Sequence, residues 1–341
     1  MPYCKALYNH LFVNVQGFYG PCCHYEYKKQ INYKEKSWID FHKSDYMENI
    51  RSNMKNGWDP GCRRCETREK NSLKSGRDHM NFFCKSNSPV IEYIEISASN
   101  NCNIRCRMCG PEFSSKWAET LTTDVSSIDN FKNFLSSIPT KDLKIIKYLG
   151  GEPFITPQIK ILFDWMLTLP NKVAFHCNSN LTLFPKKYIE TMSKFHSIRI
   201  GYSIDGIGLV NDYIRQDSKW DIILDNFLQW EDLKKQMNII SYVHTTIQAY
   251  NFHDLKNLKN FCDTHKLYHN AYHLQGPEEF TFNSLPEEYV LSFTDDYNRQ
   301  FIKNYKYNKS LHDKLRTTTI RNDNLLGTSI NNYIPELSQW I

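Results

Sequence analysis

Cys102, Cys106 and Cys109 form the pattern C-x3-C-x2-C in the run Cys102-Asn103-Ile104-Arg105-Cys106-Arg107-Met108-Cys109. Thiolates so spaced on one short loop can each reach a different iron of a cubane iron–sulfur cluster. Such clusters normally take four cysteines, so a set of three leaves one iron open for a substrate or cofactor to coordinate. A zinc site would want a fourth Cys or His in a recognisable pair, and the nearest histidines, His79 and His176, are not at that spacing. A second set precedes it: Cys4, then Gly17 and Cys22 in the pattern C-x12-G-x4-C, then the C-x2-C pair of Gly61-Cys62-Arg63-Arg64-Cys65. Four cysteines including such a pair suit either a structural tetrahedral zinc or an iron–sulfur cluster. Cys23 stands beside Cys22, and because adjacent side chains point apart, either can be the ligand. Cys84, Cys177 and Cys262 read as small core residues, with Cys177 at a strand end that also suits a hydrogen donor.

The composition directs these cysteines toward metal. The chain has 341 residues and eleven cysteines, and its start, MPYCKALYNH, has no apolar stretch that could export it. A cytoplasmic protein is therefore expected, and clustered cysteines in a reducing compartment usually bind metal rather than form disulfides. Hydrophobic residues make up 40% and charged residues 23%, enough for a globular core. With 42 basic and 37 acidic residues and no long Lys/Arg block, nucleic acid is not indicated as a partner. The best apolar stretch, 159–169, is short and interrupted by Asp164, so no membrane span is expected.

The elements that must position the triad alternate along the chain. Strands are expected at 90–97, 143–149, 172–177, 197–204, 237–248 and 270–274, with helices at 128–138, 158–169, 185–195, 220–235 and 255–265 between them. Alternation of this kind implies a parallel sheet with right-handed crossovers. Along the fifth strand Tyr242, His244, Thr246 and Gln248 share one face, and Val243 and Ile247 the other. Helices cover an apolar face, so the polar face lines a cavity. A closed eight-stranded barrel fills its interior with branched apolar side chains. Six strands and a polar lining instead predict an α/β protein built as an open, partial (β/α)6 barrel. Residues 1–89 are turn-rich and weakly periodic, and 276–341 are helical and irregular. Glu95 is placed either to hold a cationic substrate or to pair with a nearby lysine, and His273 reads as a satisfied core histidine.

The triad, with Met108 before its last cysteine, resembles the signature of the radical S-adenosylmethionine (SAM) superfamily. Leu149-Gly150-Gly151-Glu152-Pro153 matches that family's GGEP motif, which the resemblance implies binds the amino group of the SAM methionine portion. Two glycines allow close backbone approach, and a carboxylate suits an ammonium. Ser203-Ile204-Asp205-Gly206 resembles the family's strand-end SxDG, Ser179-Asn180 its Thr-Asn pair, and Arg215 falls where many relatives hold the SAM carboxylate. Gln248 joins these as a cofactor-binding residue, with His244 lining the cavity. The resemblance covers about residues 90–275 and places its motifs at strand C-terminal ends, where α/β barrels build sites.

The earlier cysteines resemble the twitch domain of SPASM/twitch radical SAM enzymes, here preceding the core instead of following it. The resemblance implies an auxiliary 4Fe–4S cluster on Cys4, Cys22, Cys62 and Cys65, Cys22 preserving the G-x4-C spacing. Residues 1–89 would form this domain, 90–275 the radical SAM core and 276–341 a helical extension. The implied activity is reductive cleavage of SAM at the triad's 4Fe–4S cluster to a 5′-deoxyadenosyl radical that abstracts hydrogen from a substrate. A reductant such as flavodoxin or ferredoxin is implied. The substrate is expected to be a peptide or protein side chain, or alternatively a small metabolite such as a sugar or nucleoside. A non-catalytic iron–sulfur or zinc module is the reading from a different class.

Overall fold

The computed structural model describes the chain except for residues 1, 27–30, 72, 124–127 and 129. Asp129, inside the helical pattern expected at 128–138, therefore lies outside the described residues. The principal elements begin with β1 (His10–Val13), β2 (Phe18–Gly20), β3 (Ile31–Asn32), α1 (Asp45–Asn56), α2 (Arg63–Lys70) and α3 (Gly76–Phe83). Then come β4 (Tyr93–Ser97), β5 (Arg105–Cys106), α4 (Ser115–Leu121), α5 (Phe131–Ser136), β6 (Ile145–Leu149), α6 (Pro157–Met166) and β7 (Ala174–Ser179). The series ends with β8 (Ser197–Ser203), α7 (Leu209–Ile214), β9 (Arg215–Gln216), α8 (Trp220–Leu233), β10 (Ile239–Ile247), α9 (Leu255–Thr264), β11 (Tyr268–His273) and α10 (Lys309–Leu326). All six expected strands are present. The helix expected at 185–195 is not: a 3-10 turn at Lys186–Tyr188 precedes a helix of only four residues, Ile189–Met192.

The chain divides into two compact units assembled from non-consecutive segments. The first unit comprises residues 1–101, 122–177 and 187–199. Its strands lie in the order β7-β6-β4-β1-β2-β3. The pairs β1·β4, β4·β6 and β6·β7 are parallel, while β2 turns back antiparallel on β1 and β3 on β2. The weakly periodic start of the chain thus supplies a strand that lies parallel to the first expected one, with Phe12 opposite Glu95. All four residues of β1 are buried. A four-residue strand buried on both faces shows no alternation, which is why the sequence pattern missed it. Arg51 from α1 ties the turn before β1, its Nε and Nη2 donating to Leu7 O at 3.0 and 2.9 Å. A capping box starts α3, Ser75 Oγ accepting from Asp78 N while Asp78 Oδ2 accepts from Ser75 N.

The second unit comprises residues 102–121, 178–186 and 200–341. Its strands run in the order β11-β10-β8, and a separate two-stranded ladder joins β5 to β9. β10 and β11 are parallel, with Tyr242 opposite Tyr268, His244 opposite Asn270 and Thr246 opposite Tyr272. In β10, Val243, Thr245 and Ile247 are buried, whereas Tyr242, His244 and Thr246 are half-buried, as the alternation predicts. Thr245 is the polar residue on the buried face. Its hydroxyl donates to Ile204 O at 2.7 Å. Phe227 and Trp230 of α8 and Leu255, Leu258 and Cys262 of α9 fill this unit's core. The protein is thus α/β with a mainly parallel sheet. Among the described residues no helix is long and apolar enough to cross a membrane.

Candidate functional site

In the second unit, the loop bearing the triad is held closely by short-range bonds. Ser115 Oγ accepts from Cys102 N at 3.1 Å and donates to Cys102 O at 3.2 Å, and Ser114 Oγ donates to Ile104 O at 2.7 Å. Trp117 Nε1 donates to Cys106 O at 2.8 Å, and Cys109 N donates to the same carbonyl at 2.9 Å. The β5·β9 ladder sets Cys106 opposite Arg215. Cys102, Ile104 and Cys106 make one buried cluster with Met108 and Cys109 packed against it. A thiol–thiol hydrogen bond with Cys109, followed by burial, pushes the Cys106 thiol well above its usual range, with Arg215 pulling the other way. Thiols gathered in an apolar setting ionise only beside a cation, which is what iron supplies.

Several expected cofactor residues surround this loop. Asn180 Nδ2 lies 4.0 Å from Cys102 Sγ and donates to Asn103 Oδ1 at 3.0 Å, while Asn180 Oδ1 accepts from Thr182 N at 2.9 Å. Ser179 Oγ accepts from Leu181 N at 3.2 Å. Arg215 reaches Cys106 Sγ with Nη1 at 3.7 Å and Asp205 with Nη2 at 2.7 Å. Asp205 Oδ1 also accepts from Thr246 N at 2.7 Å, and Ser203 is half-buried at the end of β8. Gln248 is fully buried. Its Oε1 and Arg215 Nε are buried with no hydrogen-bond partner among the described residues. An orphaned acceptor and an orphaned donor fit a ligand that offers hydroxyl or amino donors and a carboxylate, as SAM does. His244 is half-buried, with Asn270 Nδ2 3.1 Å from its Nδ1.

The GGEP segment belongs to the first unit. Gly150 and Gly151 both take positive φ, +82° and +52°. A Cβ on Gly151 would stand 2.1 Å from Asn101 O, so only glycine lets the two segments run this close. Glu152 N donates to Asn101 O at 2.8 Å. The Glu152 residue is buried, with its side chain accepting from Phe154 N at the start of a 3-10 turn. Cys177 is buried nearby, its thiol pushed up first by burial and then by Glu152.

The first unit also gathers the four earlier cysteines. Cys4 is in electrostatic contact with Cys65, and both Cys22 and Cys62 are in contact with Cys4 and Cys65. Burial pushes Cys4 up to about 12 and raises Cys22 and Cys62 as well. The Cys23 thiol hydrogen-bonds Glu95 and is in contact with Lys147, and it also stays in electrostatic contact with Cys22. The Cys62 turn is built by Asp59. Its Oδ1 accepts from Gly61 N and from Tyr25 Oη, both at 2.8 Å, and its carbonyl accepts from Cys62 N at 2.8 Å. The run Asp59-Pro60 is a recognisable N-cap with proline at the first helical position, a signal open to sequence reading. Among the described residues, no group of three or more His, Cys, Asp or Glu converges on a single ion-sized point. Cys84 and Cys262 are buried core thiols, both pushed up to about 12 by burial. His273 is half-buried and stacks on Phe282, with ring centroids 4.8 Å apart.

Sequence reasoning left undecided the role of Glu95, which lies inside the first unit. Glu95, Lys147 and His176 stand opposite one another on β4, β6 and β7. Glu95 Oε1 accepts from Lys147 Nζ at 2.8 Å and Oε2 lies 3.4 Å from His10 Nε2. Burial alone would raise the Glu95 carboxyl, but Lys147 and His10 overturn that and hold it well below the usual carboxylate range. Burial pushes His176 down to about 3 and His79 down to about 4, with Lys147 and Arg199 adding to the effect on both. Glu95 therefore pairs with a lysine, one of its two expected fates.

Residues 4–66 match the SPASM family, an iron–sulfur cluster-binding domain. That match spans the segment carrying Cys4, Cys22, Cys62 and Cys65. It is 26% identical over 118 residues to a GTP 3′,8-cyclase of Helicobacter pylori (strain HPAG1), covering 35% of this chain and 36% of that one. It is also 26% identical over 155 residues to molybdenum cofactor biosynthesis protein 1 of Dictyostelium discoideum, covering 43% of this chain and 24% of that one. The chain thus spans about a third or less of the length of these curated relatives. Among solved structures it is similar to anSMEcpe with bound AdoMet, with a TM-score of 0.43 and 14% identity over 70% of this chain and 67% of that one. Streptococcus suis SuiB bound to precursor peptide SuiA gives a TM-score of 0.41 and 12% identity over 86% of this chain and 65% of that one.

Proposed function

We propose that Cys102, Cys106 and Cys109 hold the SAM-binding cluster and that Cys4, Cys22, Cys62 and Cys65 hold the auxiliary one. In this reading residues 1–89 serve the auxiliary cluster, 90–275 form the catalytic core and 276–341 extend it. Bound there, cluster and SAM supply one-electron reductive cleavage of SAM to methionine and a 5′-deoxyadenosyl radical that abstracts hydrogen from substrate. Gly150, Gly151 and Glu152 would receive the SAM amino group, Met108 would pack beside the cluster, and Ser179, Asn180, Ser203, Asp205, Arg215 and Gln248 would orient the rest of the molecule. The observation that carries the reading is the buried three-thiol loop with an orphaned acceptor, Gln248 Oε1, and an orphaned donor, Arg215 Nε, in the same unit. Electrons would come from a flavodoxin- or ferredoxin-like reductant in the cytoplasm.

For substrate, the sequence reading favours oxidation or modification of a peptide or protein side chain. The match to GTP 3′,8-cyclases supports a second reading, a small polar metabolite such as a nucleotide. Anaerobic reconstitution with iron counting and a SAM-cleavage assay tests the catalytic reading. Replacing all three triad cysteines by Ala should abolish 5′-deoxyadenosine formation, and cleavage that survives would refute the assignment. Parallel incubations with GTP and with a peptide mixture, followed by mass spectrometry, separate the substrate readings.

A further inference from the structure

We infer that the C-terminal segment is a clamp for the cluster loop: Asp323 at the end of α10 positions that loop by gripping Arg107, the residue that immediately follows Cys106. The inference rests on the reading of Cys102, Cys106 and Cys109 as cluster ligands and gives residues 309–330 a part in that site. The Arg107 side chain has no solvent exposure. A guanidinium carried out of water is costly unless its charge and donors are met. Here Nη2 donates to Asp323 Oδ1 at 2.7 Å and to Thr328 Oγ1 at 2.6 Å, and Nε donates to Tyr213 O at 2.8 Å. The guanidinium carbon also sits 3.6 Å from the centre of the Tyr213 ring, within cation–π range.

The far end of the grip is itself fixed. Asp323 Oδ2 accepts from Ile330 N at 2.8 Å, Oδ1 accepts from Thr328 Oγ1 at 2.9 Å, and Asp323 O accepts from Thr328 N at 3.0 Å. Gly327 closes α10 in the left-handed conformation, φ +65°, which brings Thr328 back onto Asp323. The carboxylate therefore cannot follow the loop if the loop shifts. On the loop's other flank, Arg107 N donates to Ile214 O at 2.8 Å, and Arg105 makes a two-pronged pair with Asp217 at 2.7 and 2.9 Å. The segment between the second and third cysteines is thus held from two directions, one of them 216 residues away in sequence. Two thiolates only three residues apart must meet two irons of one rigid cluster. A loop free to rotate at Arg107 would lose that register, and ligand geometry depends on such outer partners.

The test begins with the apo protein, full length, by hydrogen exchange. Asp323→Ala and the nearly isosteric Asp323→Asn should each speed amide exchange at residues 105–109 about tenfold or more, leaving β10 unchanged. After anaerobic reconstitution, Asp323→Asn should retain iron while the change in the cluster's electron paramagnetic resonance spectrum on SAM addition is weakened, with deoxyadenosine formation falling about tenfold. Thr328→Val, which removes one of the two partners of Nη2, should show a smaller version of both effects and covers the case in which Asp323→Ala fails to fold. Loop exchange that stays at the wild-type rate, or that rises equally across β10, would overturn the clamp. Wild-type protein that never yields deoxyadenosine would instead overturn the radical SAM reading, and the apo exchange data would still decide the clamp.

Discussion

Replacing Glu95 by Gln removes one charge and little volume from the interior of the first unit. The Glu95 side chain is 1% exposed, with Lys147 Nζ at 2.8 Å and His10 Nε2 at 3.4 Å. Removing one partner of a buried ion pair strands the other and costs about 3–5 kcal/mol. Lys147 keeps 20% of its side chain exposed and can recover part of its hydration, so the lower figure applies, about 3 kcal/mol. For 341 residues that is a fall of roughly 4 °C in melting temperature. The sign of the pH dependence follows from the depressed carboxyl. Its contribution is fully present above the unfolded value of about 4.3 and is lost as pH falls through the lower folded value. The gap between wild type and Glu95→Gln should therefore be full at pH 7 and shrink below about pH 4. Urea unfolding of the apo protein under reductant, followed by tryptophan fluorescence, reads both. Adding Lys147→Met to Glu95→Gln removes the stranded cation and should restore about 2 kcal/mol. A single-variant cost below about 1 kcal/mol at pH 7, or a double variant as unstable as the sum of its parts, refutes the reasoning.

Cys22→Ala should lower the reconstituted iron content from about eight to about four per chain, while Cys23→Ala should leave it near eight. The reverse pattern would make Cys23 the ligand. Gln248→Leu leaves no buried acceptor to satisfy, so it should weaken SAM binding about tenfold in equilibrium dialysis without loss of melting temperature. Unchanged affinity would remove Gln248 from the cofactor site. Burial pushes the Asp254 carboxyl up to about 6. A raised folded value means the group favours the folded state only while protonated, so its ionisation withdraws about 3 kcal/mol as pH rises from about 4 to 6. Asp254→Asn should flatten that part of the stability profile, and an unaltered slope between pH 4 and 6 would count against it.

The sequence carried the parts of this protein that depend on neighbours in the chain. β-strand alternation located all six core strands, and in β10 even the facing of Val243 and Ile247 against Tyr242 and His244. The triad and GGEP were readable because each motif packs its chemistry into a few consecutive residues. What escaped depends on partners far apart. β1 looked irregular because its four residues are all buried and its register comes from β4. The helix expected at 185–195 shrank to Ile189–Met192, since a 3-10 turn occupies Lys186–Tyr188. Cys22 and Cys23 looked alike in sequence, and what distinguishes them is the contact of Cys23 with Glu95, a residue on β4. The fate of Glu95 itself was left between two options until Lys147 was found opposite it.

The buried polar groups sort into two kinds, and the sorting bears on function. Arg107, Asp254 and Asp59 are buried and bonded to fixed partners, though Arg107 Nη1 is itself left without one among the described residues: Asp254 accepts from Ile207 N at 2.6 Å and from Asn257 Nδ2 at 2.7 Å, and Asp59 holds Gly61 N and Tyr25 Oη at 2.8 Å each. Each sits beside a motif without belonging to it: Arg107 between two triad cysteines, Asp254 against the residue after Ser203-Ile204-Asp205-Gly206, Asp59 under the Cys62 turn. Gln248 Oε1 and Arg215 Nε are buried with no hydrogen-bond partner among the described residues. A fold does not bury an unmet donor and an unmet acceptor in one unit without cost, and nothing in the sequence forces either residue to be polar. Those two atoms are the proposed ligand contacts, and Arg107 Nη1 shows that an orphaned atom alone does not mark one. A search for further ligand contacts should therefore test Gln248 first, through the SAM affinity of Gln248→Leu, before Arg107, whose Nε and Nη2 are already bonded to Tyr213, Asp323 and Thr328.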